Sequence, residues 1–352
     1  MTYADSRPHG GGVCPFCREF HAKTFRGAEA LKRDLALQPG ERVGITVSGG
    51  KDSTYMWGVL TDLLGADAVQ AFTYFKPGVS SDVALANVKK AARVLGSEPV
   101  IVSDSGVYDR FRRNLRIFLA HPDAASVRVL LCTGCRYGIT ENLYRRGAEL
   151  GIYKYISGAS YLELAPFKED LLTAKGGGDI DAGLEAVIRA YPALDYGDNL
   201  MYIRRDQNFK YKNNDTLENN FGADYAFDLF DFDDYFPNDP AKIEAAVVER
   251  FDWKKTNRSW HFDCEIEDWK DVFYFGLLGY TELDFKLSTM VRYGLLTRDE
   301  ALAAVAKQAA HLRDSLAERQ EKLTALGLTD CAGALARFYE ESPYLSGKEA
   351  QS

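Results

Sequence analysis

The sequence predicts an α/β fold in which a parallel sheet is covered by helices, followed by a mostly helical C-terminal region. Short apolar runs alternate with amphipathic stretches of helical length between residues 27 and 165, the pattern of strand–helix–strand units. A glycine-rich turn, Ser48-Gly49-Gly50, follows the first of these runs directly. From Asp299 onward a long helical periodicity takes over.

Taken in order, residues 27–38 read as a first helix, closed by the turn Pro39-Gly40. Arg42 to Val47 reads as a buried strand that runs into Ser48-Gly49-Gly50-Lys51-Asp52-Ser53, and residues 53–64 as an apolar helix. Ala68 to Phe75 is a second strand, 82–95 a helix, and Pro99 to Val102 a third strand. Helices are expected at 107–120 and 136–150, with a short strand at Tyr153 to Ser157. Lys175-Gly176-Gly177-Gly178-Asp179 is a loop, and the aromatic-rich stretch 180–300 carries no clean period. Asp299 to about Leu326 reads as one long helix, with Thr297 as N-cap and Glu300 completing a capping box. The expected organisation is an N-terminal cysteine-containing segment 1–26, a nucleotide-binding domain 27–165 and a C-terminal substrate or partner region 166–345.

With 352 residues, 46% hydrophobic and 27% charged, the chain can bury a substantial core, and two domains are expected. No run of about 18 apolar residues is present, so no transmembrane helix is expected. Met1 to Gly12 is polar and glycine-rich and lacks the apolar core of a signal peptide, which predicts a cytoplasmic protein. The formal net charge is −8, from 43 basic and 51 acidic residues. No basic stripe stands out, and aspartates alternate with aromatics from Asp228 to Phe236, which weighs against a nucleic-acid partner.

Ser48-Gly49-Gly50-Lys51-Asp52-Ser53 is the most informative segment. Glycines after a strand allow a tight turn that brings backbone N–H groups close to an anion, and the next helix points its positive end at the same place. Lys51 adds a full charge, and Ser48 and Ser53 add hydroxyls. A Walker A loop would need Ser or Thr after the lysine, where this chain has Asp52. The segment instead resembles the PP-loop signature S-G-G-x-D-S of the ATP pyrophosphatase superfamily, whose fold is the adenine nucleotide alpha hydrolase-like domain.

That resemblance implies ATP and Mg²⁺, cleavage between the α and β phosphates, and an adenylated substrate with free pyrophosphate. Lys51 and Asp52 would be catalytic, and Ser48, Gly49, Gly50, Lys51, Asp52 and Ser53 would hold the nucleotide. Two further positions fit the superfamily: Thr73, in Ala71-Phe72-Thr73-Tyr74 at the end of the second strand, and Gly158 and Ser160, in Ser157-Gly158-Ala159-Ser160 after a later strand, would line the nucleotide cleft.

Six cysteines lie at 14, 17, 132, 135, 264 and 331, two pairs of them with C-x-x-C spacing. In a chain read as cytoplasmic, metal or redox chemistry is expected ahead of disulfides. Cys132 and Cys135 open the helix expected at 136–150, where a helix N-terminus and nearby arginines would lower a thiol pKa and favour catalysis or metal binding. With Cys264 they would hold a [4Fe-4S] cluster with one open iron, or three corners of a Zn²⁺ site. Unligated thiols are the remaining alternative. Cys14 and Cys17 resemble half of a zinc knuckle that His9 and His21 would complete, and Cys331 reads as an ordinary helix residue.

A narrower resemblance is carried by Gly12-Val13-Cys14-Pro15-Phe16-Cys17-Arg18 ahead of the loop. Further on, Phe251-Asp252-Trp253-Lys254, His261-Phe262-Asp263-Cys264, Glu267-Asp268, Phe275-Gly276 and Arg292 to Ala301 agree with it. These blocks resemble the N-acetyl sugar amidotransferases of surface-polysaccharide and lipopolysaccharide biosynthesis. The implied reaction is adenylation of an N-acetyl oxygen and its replacement by ammonia nitrogen. The substrate would be a free, nucleotide-linked or lipid-linked N-acetyl sugar, and a separate glutaminase would supply the ammonia. A sulfur transferase acting on a small molecule or tRNA through the same adenylation is the alternative. A nucleotide-binding regulator without chemistry fits less well, because Lys51 and Asp52 are both present.

Overall fold

The computed structural model describes residues 14–77, 80–103, 105–191, 193, 227–255 and 268–347, leaving aside the side chains of residues 105, 132–138, 140 and 141. Five strands form one sheet: β1 (Val43–Thr46), β2 (Val69–Tyr74), β3 (Val100–Val102), β4 (Lys154–Ser157) and β5 (Asp228–Asp231). Their order is β3-β2-β1-β4-β5, and every neighbouring pair is parallel. The chain therefore steps outward from β1 to β3, then returns to the other side of β1 for β4 and β5. Such a reversal opens a crevice at the C-terminal ends of the two strands that flank it, here β1 and β4.

The connecting helices cover both faces. On one face, Val43, Ile45 and Ile156 pack against α1 (Ala28–Leu35), α2 (Lys51–Leu64) and α3 (Asp82–Leu95), together with Val247 and Phe251 of α8 (Pro240–Phe251). On the other, Phe72 and Tyr155 meet Leu143, Tyr144 and Ala148 of α5 (Gly134–Glu149). A parallel sheet covered on both faces requires strands that are apolar on both sides, which is why β1 and β2 read as continuous apolar runs.

A second core is entirely helical. It joins α4 (Ser105–Ala120), α6 (Phe167–Lys175) and α7 (Ile180–Arg189) to the C-terminal helices α9 (Trp269–Leu278), α10 (Glu282–Arg292), α11 (Arg298–Asp314), α12 (Leu316–Ala325) and α13 (Ala332–Glu341). Phe118 against Phe273 and Phe167 against Tyr274 tie its two halves together at ring separations of 4.6 and 5.0 Å. No helix of the described residues is long and apolar enough to cross a membrane.

Three local expectations need correction. The single helix expected from Asp299 to Leu326 is two, α11 and α12, because the chain turns at Ser315 (φ −89°, ψ 5°). There the Ser315 hydroxyl donates to the Leu312 carbonyl and bonds the Tyr339 hydroxyl, both at 2.9 Å, and the turn sets the buried Arg319 against Asp268. The start of that helix is as expected: Thr297 accepts from the Glu300 N–H, and the Glu300 carboxylate accepts from the Thr297 N–H at 2.7 Å.

The helix expected to open at the Cys132–Cys135 pair has no N-terminus there. Helical backbone runs without a break from Ala124 through a wide-turn segment, Arg128–Thr133, into α5. Its start is capped by the Asp123 carboxylate, which accepts from the Ser126 N–H at 3.2 Å. No helix N-terminus therefore lies at these cysteines.

Finally, the acidic–aromatic stretch supplies β5. With aspartate at both ends its strand propensity is low, and backbone pairing with β4 is what recruits it. The sheet thus draws on chain beyond residue 165.

Candidate active site

The phosphate loop sits where the sheet topology puts the crevice. It leaves β1 at Val47 and enters α2 at Lys51, one turn of chain whose conformation is fixed from several directions. Gly49 has φ +86°, and a Cβ there would lie 2.2 Å from the Ala84 carbonyl oxygen of α3, so only glycine fits. The Gly49 carbonyl accepts from the Trp253 indole N–H at 3.0 Å and from Asn87 Nδ2 at 3.4 Å. Asn87 in turn donates to the Lys254 carbonyl at 2.9 Å and accepts from the Lys254 N–H at 3.0 Å. Within the loop, Ser53 Oγ accepts from the Ser48 N–H at 3.2 Å and donates to the Gly50 carbonyl at 3.2 Å. Lys51 Nζ lies 2.7 Å from both carboxylate oxygens of Asp52.

The loop after β4 forms the facing wall. Gly158 lies against Met56 of α2, where an added Cβ would sit 3.3 Å from the methionine Cε. Ser160 Oγ accepts from Asn238 Nδ2 at 3.1 Å, and the same amide reaches Asp52 Oδ1 at 3.4 Å. Asn238 is buried. It therefore joins the two loops across the crevice.

Beside it, the buried Asp233 carboxylate accepts the Tyr161 backbone N–H at 2.7 Å. Burial pushes the Asp233 pKa up to about 7. The Tyr161 N–H and Lys23 pull it down, while the neighbouring charges of Asp52 and Asp231 push it higher. A carboxyl group poised there can exchange a proton near neutral pH.

The sequence-predicted residues divide accordingly. Ser48, Gly49, Gly50, Lys51, Asp52, Ser53, Gly158 and Ser160 converge on the crevice. Thr73 is buried, and its hydroxyl donates to the Val47 carbonyl at 2.9 Å, so it braces β2 against the end of β1. Asp233, Asn238, Asn87 and Tyr161 were not singled out from sequence. In the sequence Trp253 belongs only to a block that carries the family resemblance, yet it holds the loop.

Cys264, with His261, Asp263 and Glu265, lies outside the described residues, as do the side chains of Cys132 and Cys135. Cys14 caps a single helical turn, Pro15–Arg18. Burial and a hydrogen bond with Cys14 raise the pKa of its partner Cys17. Among the described residues no three His, Cys, Asp or Glu side chains gather as a metal site, and His9 lies outside them.

Next to the crevice is a cavity of about 490 Å³ between the N-terminal turn and α10. Phe16, Phe20, Tyr161, Phe285 and Tyr293 supply aromatic walls, and Lys23, Asp284 and Arg292 supply charge. The N-terminal segment is held in place by the Arg26 and Gly27 N–H groups, which donate to the Asp234 and Tyr235 carbonyls at 3.0 Å. Lys23 Nζ pairs with Asp234 at 2.8 Å. Tyr161 belongs to both places, with its ring in the cavity and its N–H on Asp233.

No family model matches the chain. A 94-residue stretch is 37% identical to the tRNA-5-methyluridine(54) 2-sulfurtransferase of Thermus thermophilus, covering 26% of this chain and 29% of that protein. The chain thus matches less than a third of that relative's length. Among solved structures, the NH3-dependent NAD synthetase of Campylobacter jejuni is 12% identical, with a TM-score of 0.29 over 66% of this chain and 95% of that one.

Proposed function

We propose that the chain is an ATP pyrophosphatase-type enzyme that adenylates an amide or carbonyl oxygen and replaces it with ammonia nitrogen, the acceptor being an N-acetyl sugar. The observation that carries this reading is the Ser48–Ser53 loop at the β1–β4 crevice, with Lys51 and Asp52 at the start of α2. The rigid glycine turn is a cradle that a Cβ would fill, and it fits a polyphosphate at a helix N-terminus. ATP supplies the leaving group: the acceptor oxygen bonds to the α-phosphorus, the bond to the β-phosphate oxygen breaks, and pyrophosphate departs. Ammonia then adds at the activated carbon, and AMP leaves with the original oxygen.

In this reading Lys51 turns from Asp52 to the pyrophosphate oxygens. Asp52 would hold Mg²⁺, which usually takes one or two protein carboxylates and completes its shell with phosphates and water. Asn238 keeps the Asp52 and Ser160 loops in register. Asp233 is placed to accept the proton that the incoming nitrogen sheds. No step is assigned to zinc or to an iron–sulfur cluster.

The similarity to a tRNA 2-sulfurtransferase favours a second reading, in which the same activated oxygen is replaced by sulfur. Product analysis separates the two. Purified protein incubated with ATP, Mg²⁺ and candidate N-acetyl sugars, plus either ammonium or sulfide, should give AMP, pyrophosphate and a product lighter by about one mass unit for nitrogen. A product heavier by about sixteen would establish sulfur transfer. ADP and phosphate as the products would rule out both.

A further inference from the structure

The cavity beside the crevice contains a cation that pairs with no carboxylate among the described residues. Arg292, in the last turn of α10, donates from Nη1 to Ser288 Oγ at 3.0 Å and from Nη2 to Thr289 Oγ1 at 2.8 Å. Both acceptors are neutral hydroxyls of its own helix. The guanidinium otherwise faces the Phe16 and Phe20 rings, 6.0 and 5.9 Å from their centroids. The other charges of the cavity are engaged or peripheral. Lys23 is paired with Asp234, the Asp284 carboxylate caps α10 by accepting the Thr281 N–H at 2.9 Å, and Glu19 is exposed at the rim. A guanidinium held by hydroxyls against aromatic rings, with donors to spare, suits a carboxylate or phosphate, which it can grip through two parallel N–H bonds.

Next to that cation is an aromatic platform. The Tyr161 and Tyr293 ring centroids are 4.9 Å apart, and Phe20 meets Tyr293 edge-on at the same separation. Tyr293 is fixed from outside by the Lys23 N–H, which donates to its hydroxyl at 3.0 Å. The cavity volume falls in the range of small-molecule sites, which are typically apolar-walled with a few polar anchors. Tyr161 follows Ser160, whose hydroxyl accepts from Asn238 Nδ2, and the same amide reaches Asp52.

We propose that this cavity binds the acceptor, an anionic small molecule whose carboxylate or phosphate sits on the Arg292 guanidinium and whose ring lies against Tyr161 and Tyr293. The assignment to the acceptor rests on reading the Ser48–Ser53 loop as the ATP site; the anion-binding chemistry of the cavity does not. The end of the molecule opposite the anchor would then be the one presented to Asp233 and the α-phosphate.

The test is calorimetric titration of the full chain with three probes: N-acetylglucosamine 1-phosphate, N-acetylmuramic acid and neutral N-acetylglucosamine. One of the two anionic probes should bind at least about tenfold more tightly than the neutral sugar, and which one it is tells phosphate from carboxylate. Arg292→Gln removes the charge and leaves a shorter, neutral side chain whose amide can still donate. It should abolish that preference and leave affinity for the neutral sugar and for Mg·ATP unchanged. Tyr293→Leu should weaken all three probes together. Equal affinity of charged and neutral probes, an anion preference that survives in Arg292→Gln, or no binding of any probe would overturn the proposal. Mg·ATP binding without probe binding would remove the cavity assignment and leave the nucleotide reading standing. Arg292-dependent probe binding without Mg·ATP binding would do the reverse.

Discussion

Trp253 donates its indole N–H to the carbonyl of Gly49 at 3.0 Å, a bond between residues 204 apart in sequence. The tryptophan follows α8 and is buried in the same core as the helix that begins at the phosphate loop, so the turn is held by a residue from beyond the fifth strand. Trp253→Phe keeps most of the apolar contact and removes the donor. It should lower stability by about 1 kcal/mol, the usual worth of such a bond. It should also weaken Mg·ATP binding several-fold, since the loop loses its tether. Denaturant titration and ATP calorimetry measure the two effects, and an unchanged ATP affinity would mean that the loop holds its shape without Trp253.

Gly49 and Gly50 are adjacent but not equivalent. Gly49 has positive φ and faces the backbone of Ala84, whereas Gly50 is extended (φ −67°, ψ 159°) and an added Cβ would only touch Ser48 Oγ at 3.3 Å. Gly49→Ala should therefore cost more than about 2 kcal/mol, combining left-handed strain with a clash that a helix backbone must relieve. Gly50→Ala should cost less than about 1 kcal/mol. Equal thermal midpoints for the two variants would show that the turn is not as constrained as the geometry requires.

Lys51 is half-buried with its ammonium on Asp52, so it contributes to the charge of the site more than to packing. Lys51→Ala should leave the melting temperature within a few degrees of wild type. It should also reduce formation of AMP and pyrophosphate by roughly a hundredfold or more, the scale of losing one transition-state charge contact. Chromatographic assay of both products is the measurement. Near-normal turnover would move the phosphate site away from this loop.

How far the sequence could reach is clear from these residues. The order of the first four strands, and the loop between β1 and α2, followed from local patterns: apolar runs of strand length, glycines at a turn, a lysine at a helix start. Thr73 was placed in the right strand, but its side chain serves the sheet, a distinction that depends on which way a hydroxyl points. The fifth strand is not legible because the aspartates at its ends disfavour strands, and only its neighbour recruits it. Trp253, Asn238 and Asp233 act through contacts with residues 72 to 204 positions away. No periodicity within a single chain reports such contacts. The turn at Ser315 is not legible because α11 and α12 share an unbroken helical composition, and the bend meets Tyr339 from another helix.

Asp233 gives the site a pH signature. Its ordinary carboxylate value is 3.8, and burial lifts it in the folded protein to about 7. Between those values the folded chain holds a proton that the unfolded chain has released. Stability from this group is therefore fully present below pH 4 and is lost as pH rises through 7, by on the order of 1 kcal/mol per pH unit within the window. Asp233→Asn keeps an oxygen to accept the Tyr161 N–H and removes the titration. The variant should be more stable than wild type at pH 8, nearly equal to it at pH 4, and flatter in between. Urea denaturation at pH 4, 6 and 8 measures this, and parallel pH profiles for the two proteins would show that Asp233 titrates as an ordinary carboxylate. If Asp233 also takes the proton from the incoming nitrogen, wild-type turnover should rise as pH passes through about 7, and Asp233→Asn should lose that rise along with most of its rate. A variant that shows the stability change but keeps the wild-type rate profile would confine Asp233 to holding Tyr161.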